Sequence, residues 1–181
     1  LSGNLAVCCG SSGPGNLHLI NGLFDAHRNH APVLAIASHI PQSQVGMEYF
    51  QATHPEQLFK ECSAYAELVS EASQAPCILM SAIQHAWARR DVGVVVLPGD
   101  IADAPAEMKN LVHPPSYTRE NVVPEHESVS LLARMLDDHR RITFFCGAGC
   151  AGAEDKVVRL AHRLKAPIAY TWRGKDYFEH D

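Results

Sequence analysis

Val92-Gly93-Val94-Val95-Val96-Leu97 runs without a single polar side chain. A strand with one wet face alternates polar and apolar residues, so a run with no alternation must be covered on both faces. That is the situation of a parallel sheet sandwiched between helices. Leu5–Cys9, Val33–Ala37 and Ala64–Val69 are also short, apolar and β-compatible, with helical patterns between several of these runs. In the first of them Leu17, Ile20 and Phe24 recur at three- and four-residue spacing, as do Leu19, Leu23 and Ala26, so that both faces are expected to be covered; Pro14 and Gly15 open it. Ile78, Leu79, Ala82, Ile83, Ala86 and Trp87 repeat the helical pattern just before the Val92 run. The expected class is α/β, with doubly wound, mostly parallel sheets.

A chain of 181 residues with 46% hydrophobic content has room for one ordinary domain or pieces of two. Past Pro98 the texture changes: Pro105, Pro114, Pro115 and Pro124 are interspersed with Asp103, Glu107, Lys109 and Asn110, the composition of a linker. The expected boundaries are a first α/β domain over 1–103, a linker over 104–123 and a second α/β domain over 124–181. The second opens with a helix near Pro124 that carries Glu125 and Glu127 in its first turn and Val129, Leu132, Ala133 and Leu136 as an apolar stripe. Strand Ile142–Cys146, a glycine turn over 147–152, helix Glu154–Leu164 and strand Pro167–Thr171 then complete a βαβ unit. Too few residues follow the linker for a full doubly wound domain, which needs on the order of 100, and the chain opens on Leu directly before a strand. A partial polypeptide is expected.

Net charge of −5 and a pI near 6.1 provide no basic field for nucleic acid. No apolar stretch approaches the roughly 18 residues that span a bilayer, and no charged leader precedes an apolar core, so a soluble, unexported chain is expected. The six cysteines, at 8, 9, 62, 77, 146 and 150, show no Cys-x-x-Cys pair and are expected to be buried free thiols. Of the eleven histidines only His27 and His30 share helical spacing, which argues against a metal site.

Two glycine-rich turns carry the chemistry. Leu5–Cys9 feeds Gly10-Ser11-Ser12-Gly13-Pro14-Gly15-Asn16, a strand, turn and helix start that brings bare main chain and backbone N–H groups to a small anionic or heteroaromatic ligand. Gly147-Ala148-Gly149-Cys150-Ala151-Gly152 is a literal Gly-x-Gly-x-x-Gly between strand and helix. A dinucleotide site of that kind wants an acid at the end of the next strand, whereas this chain has Thr171-Trp172-Arg173-Gly174-Lys175, whose cations suit a phosphate better than a ribose hydroxyl.

Gly13-Pro14-Gly15-Asn16, Asn21-Gly22-Leu23-Phe24-Asp25, Tyr49-Phe50-Gln51, His54-Pro55-Glu56, Val94–Asp100, Cys146–Ala153, Lys165–Ile168 and Arg173-Gly174-Lys175 together resemble the thiamine-diphosphate enzymes. The likeness extends over essentially the whole chain and is strongest to the FAD-containing pyruvate oxidase / pyruvate:quinone dehydrogenase branch. It implies the later part of the pyrimidine-binding domain followed by the start of the central domain. It also implies that Gly13, Pro14, Gly15 and Asn16 lie beside the aminopyrimidine, and that Phe50 and Gln51 face the reactive thiazolium and the substrate, the ring excluding water and the amide binding a carboxylate or carbonyl. Many relatives have an acid where this chain has Ala52. Gly147, Ala148, Gly149, Thr171, Trp172, Arg173 and Gly174 become candidates for FAD contact, although several decarboxylase relatives keep this central fold without flavin.

By the same resemblance the activating glutamate lies before Leu1, and the ligands of Mg²⁺ and diphosphate lie beyond this chain. Gly99-Asp100 is structural. His54, Glu56 and Glu61 are surface groups of a short helix. The implied reaction is oxidative decarboxylation of pyruvate or another 2-oxo acid to acetate, with quinone as electron acceptor, at a subunit interface of a homotetramer. The implied location is cytoplasmic, with peripheral contact at the inner membrane face made through regions outside this chain. An acetolactate-synthase-like carboligase and a non-catalytic α/β nucleotide-binding module are the alternatives.

Overall fold

The computed structural model describes residues 4–105 and 122–179, which fall into two compact units, one within 1–120 and one within 121–181. Most of the expected linker, 106–121, lies outside the described residues.

The first unit is an α/β layer built on β1 (Ala6–Gly10), α1 (Pro14–Arg28), β2 (Val33–His39), α2 (Pro55–Leu58), β3 (Tyr65–Leu68), α3 (Ala75–Arg89), β4 (Val92–Pro98) and α4 (Gly99–Ala102). Its four strands are parallel, in the order β1-β2-β4-β3. β4, the strand without a polar residue, takes a central place, as coverage on both faces requires. Register aligns Val33 with Val92 and His39 with Pro98, so both central strands end together.

Alternation sorts the two faces. Ala35, Ala37, Val92, Val94 and Val96 pack with Leu23 of α1 and with Phe59 and Cys62 beyond α2, while Leu34 and Val95 pack with Ala82 of α3. Gly93 belongs to the α3 face: a Cβ there would lie 2.3 Å from the Ala82 carbonyl oxygen, so its lack of a side chain sets how closely α3 approaches the sheet. α1 departs from expectation. Leu19, Leu23, Phe24 and Ala26 reach the core, whereas Leu17 is exposed, because the sheet covers only one side of this helix. The thiols also depart. All six are free and Cys62 and Cys146 are buried, but Cys9 on edge strand β1 and Cys77 on the outer side of α3 are exposed.

The second unit holds α5 (His126–Asp138), β5 (Phe144–Cys146), α6 (Glu154–Leu164), β6 (Ile168–Tyr170) and α7 (Lys175–Phe178). β5 and β6 pair in parallel, completing the βαβ unit. Both strands are shorter than expected, and the glycine turn tightens into a 3₁₀ turn at Ala148–Cys150. The stripe on α5 forms, yet Val129, Leu131, Leu132 and Met135 face solvent, since a two-stranded sheet offers too little apolar surface to cover it. No helix among the described residues is long and apolar enough to cross a membrane.

Candidate functional site

The first glycine turn and the Phe50-Gln51 pair, 34 positions or more apart in the chain, meet at the C-terminal end of the sheet. Gly13 caps α1 with φ +67°, a left-handed conformation that an L side chain resists. A Cβ at Gly13 would lie 2.8 Å from the Gln51 carbonyl oxygen and 3.0 Å from the Gln51 Cβ. The Ser12 hydroxyl donates to that same carbonyl at 3.1 Å.

The facing loop is held under strain. The turn at Gln42–Gln44 is pinned because the Gln42 N–H donates to both Asp100 carboxylate oxygens at 3.1 Å and its side-chain amide donates to the Ser70 carbonyl at 2.9 Å. Gly99-Asp100 is thus a structural brace, as the sequence suggests. Beyond the turn Gly46, Glu48 and Gln51 all have positive φ, at +85°, +50° and +63°. Two side-chain-bearing residues in that region cost about 1–3 kcal/mol each, and such strain persists where surrounding contacts enforce it. At the far end Pro55 and Phe59 are buried and re-anchor the chain. Phe50 is 79% exposed at the tip of the loop.

Pro14 occupies the first turn of α1, where its missing N–H costs nothing. The helix end is less open to an anion than its sequence suggests, because Asn16 N–H already bonds the Ser11 carbonyl at 3.0 Å and Leu17 N–H the Gly13 carbonyl at 3.2 Å. Asn16 is fully buried; its amide donates to the Ser38 carbonyl at 2.8 Å, tying α1 to the end of β2, while its Oδ1 has no partner. Neither glycine leaves its main chain open, since Gln51 covers Gly13 and a Cβ at Gly15 would lie 2.2 Å from Ser11 Oγ, while the buried Asn16 Oδ1 stays an unpaired acceptor.

Beside this junction lies an open pocket of about 470 Å³ lined by His39, Ile40, Val45, Tyr49, Thr53 and His54, with Gly46, Glu48 and Ala52 completing the wall. Neither Phe50 nor Gln51 lines it; their immediate neighbours Tyr49 and Ala52 do. His39 and Thr53 escaped the sequence reading. The available signal was a histidine closing an otherwise apolar strand, at the strand end where open α/β sheets place their ligands. Burial pushes the His39 imidazole below its ordinary 6.5, with Glu56 opposing and His54 assisting. His54, Glu56 and Glu61 are exposed around α2, as expected.

In the second unit the remaining candidates also converge. Thr171 N–H donates to the Cys146 carbonyl at 2.9 Å, and a Cβ at Gly147 would stand 3.5 Å from Thr171 Oγ1. Gly174 is required for packing, since its Cβ would lie 2.6 Å from the Cys146 oxygen. At Gly149 the position of a Cβ has nothing within 4 Å, so bare main chain faces open space there. Ala148 lies between these glycines in the 3₁₀ turn; Trp172, 88% exposed, and Arg173 lie on the facing turn. The start of α6 is occupied by its own acids: Gly152 N–H donates to Glu154 Oε1 at 2.8 Å, with Asp155 adjacent. A diphosphate at this helix end would meet like charge, and Lys175 is paired with Glu179 at 3.1 Å. A flavin here would therefore have to use the Gly147–Gly149 and Thr171–Gly174 turns. Among the described residues no group of three or more His, Cys, Asp or Glu is arranged to hold a metal ion.

Comparison with known proteins decides the family. Residues 1–60 match the N-terminal TPP binding domain of thiamine pyrophosphate enzymes, and residues 129–181 match the central domain of the same enzymes. Together these matches take in more than half of the chain. The chain belongs to the thiamine pyrophosphate enzyme family. It is 53% identical over 182 residues to an uncharacterized 42.6 kDa protein from the isoamylase 3′ region of Pseudomonas amyloderamosa, covering 100% of this chain and 46% of that protein. Pyruvate oxidase of Lactiplantibacillus plantarum is 30% identical, over 97% of this chain and 29% of its own length. Chloroplastic acetolactate synthase of Arabidopsis thaliana is 27% identical, over 96% of this chain and 26% of its own. The chain thus spans less than half the length of these relatives. In this thiamine pyrophosphate enzyme chain the Gly13 turn falls within the matched N-terminal domain and the Gly147 and Thr171 turns within the matched central domain.

Proposed function

We propose that the protein carrying this chain oxidatively decarboxylates pyruvate to acetate, using thiamine diphosphate and FAD and passing electrons to quinone. The observation that carries this reading is Gln51 held in a left-handed conformation against Gly13, its carbonyl accepting from the Ser12 hydroxyl, with Phe50 exposed beside it. Similarity to a pyruvate oxidase supports it.

Thiamine diphosphate, when bound, supplies the electron sink for loss of CO₂ from a 2-oxo acid. Gly13, Pro14, Gly15 and Asn16 would receive its pyrimidine ring, Phe50 would exclude water, and the Gln51 amide would orient the substrate carboxylate. Gly147, Ala148, Gly149, Thr171, Trp172, Arg173 and Gly174 would contact FAD through their turns. Mg²⁺ and the diphosphate would be held by residues outside this chain. On this reading catalysis would occur at a subunit interface of a cytoplasmic homotetramer that would touch the inner membrane face peripherally.

Acetolactate synthesis is the second reading, favoured by the Arabidopsis thaliana relative. One experiment separates the two. The purified intact protein is expected to show the visible absorption of oxidised flavin, bleached by pyruvate under anaerobic conditions with acetate formed. Colourless protein, or acetolactate formed without bleaching, would overturn the proposal.

A further inference from the structure

Cys146 and Cys150 stand at the two ends of the second glycine turn, and the proposed function uses neither. Both are free, Cys146 buried and Cys150 half-buried. The chain folds back between them, with the Cys150 N–H donating to the Gly147 carbonyl at 3.1 Å to close the turn Ala148–Cys150. That fold-back brings the two side chains together, the Cys150 thiol lying in hydrogen-bonding reach of the Cys146 thiol. Cys8 and Cys9 also adjoin, but they are consecutive on β1, where alternation sends their side chains to opposite faces.

The two thiols differ in access and in freedom to move. Cys146 is fixed: it pairs with Tyr170 across the sheet, its carbonyl accepts from the Thr171 N–H at 2.9 Å, and Gly174 packs against the same oxygen. Cys150 rides on a turn with room around it, since a Cβ at Gly149 or at Gly152 would meet nothing within 4 Å. A disulfide needs Cα atoms roughly 4.4–6.8 Å apart and a Cβ–S–S–Cβ dihedral near 90°, and the open side of the turn lets Cys150 adjust to that geometry. Burial and the neighbouring thiol hold the proton on Cys146, so a reagent in solution meets Cys150 first.

We propose that Cys146 and Cys150 form a redox-active dithiol, oxidised to a disulfide by a small-molecule disulfide that enters through Cys150. The Cys150 thiolate attacks one sulfur of that reagent, forming a mixed disulfide and releasing one thiol. Cys146 Sγ, giving its proton to solvent, then attacks the Cys150 sulfur and expels the second thiol. The chain loses two electrons and two protons, and the reagent gains them as two thiols. The bridge closes a ring around Gly147–Gly149 and holds that turn in one conformation.

The test treats the intact, native protein with oxidised glutathione and reads mass rather than activity, so it can fail or succeed independently of the proposed function. After denaturation and alkylation of the remaining free thiols, the tryptic peptide 142–156, which contains both cysteines, is examined. It is expected to carry neither an alkyl group nor glutathione and to be lighter than the dithiol peptide by two hydrogen atoms. Cys146→Ser should trap glutathione on Cys150, and Cys150→Ser should leave Cys146 unmodified. A wild-type peptide that remains fully alkylated, one that retains glutathione on Cys150, or glutathione on Cys146 in folded Cys150→Ser would each overturn the proposal. If neither variant folds, the mass of the wild-type peptide decides it.

Discussion

Gly13 and Gln51 share a space that admits no side chain between them: a Cβ on Gly13 would sit 2.8 Å from the Gln51 carbonyl oxygen. Both residues have positive φ, so each holds a conformation the other's packing helps to enforce. Gly13→Ala must push the loop away from α1 and also place an L side chain at φ +67°. We expect thiamine diphosphate affinity of the intact protein to fall roughly tenfold, equivalent to about 1.4 kcal/mol, as read by titration calorimetry. Unchanged affinity would show that the junction does not contact the cofactor.

Gly93→Ala tests the sheet itself. Its Cβ would meet the Ala82 carbonyl at 2.3 Å, and α3 can relieve the overlap only by lifting off a packed face. A loss of about 1–3 kcal/mol is expected from overpacking. Gly22→Ala is the opposite case, with nothing within 4 Å of the added methyl in the middle of α1, and should stabilise by about 0.5–1 kcal/mol. Denaturant melts of the two variants should move in opposite directions.

Thiol labelling should separate the cysteines by burial. Burial pushes the Cys62 and Cys146 thiols upward, with Cys150 beside Cys146 adding to its shift, so the reactive thiolate is suppressed as well as shielded. Iodoacetamide is expected to modify Cys77 in native protein and to reach Cys62 and Cys146 only after denaturation. Rapid native labelling of Cys62 would contradict the packing described.

The His39 imidazole makes stability depend on pH. Its folded pKa lies below the ordinary 6.5, so between the two values the unfolded chain binds more protons than the folded one. Its contribution is therefore fully present above pH 6.5 and is lost as pH falls through the folded value. The wild-type melting temperature should drop through that acidic window more than that of His39→Gln. Parallel curves for the two proteins would remove His39 from the account.

Much of the fold was legible because its patterns are local. Six consecutive apolar residues at Val92–Leu97 announce a strand covered on both sides, and the spacing of Ala82 and Ala86 announces a helix. The limits of α6, Glu154–Leu164, agree with the sequence expectation because acids open it and Lys165 ends it in the left-handed conformation. Leu17 was misplaced because two apolar stripes on one helix do not reveal how many neighbours exist to cover them.

The amino-acid order by itself determined the parallel α/β architecture, the two glycine turns and the residue types available at each. Those depend on spacing along a single segment. Only the tertiary structure decided that Gly13 would face Gln51, that the α6 helix end would be occupied by Glu154, and that His39 and Thr53 would line one open pocket with their polar atoms unpaired. Each of these relationships joins groups that sequence does not place together, or weighs a ligand against a side chain competing for the same N–H. They exist only once strand order and helix approach have fixed distances in space.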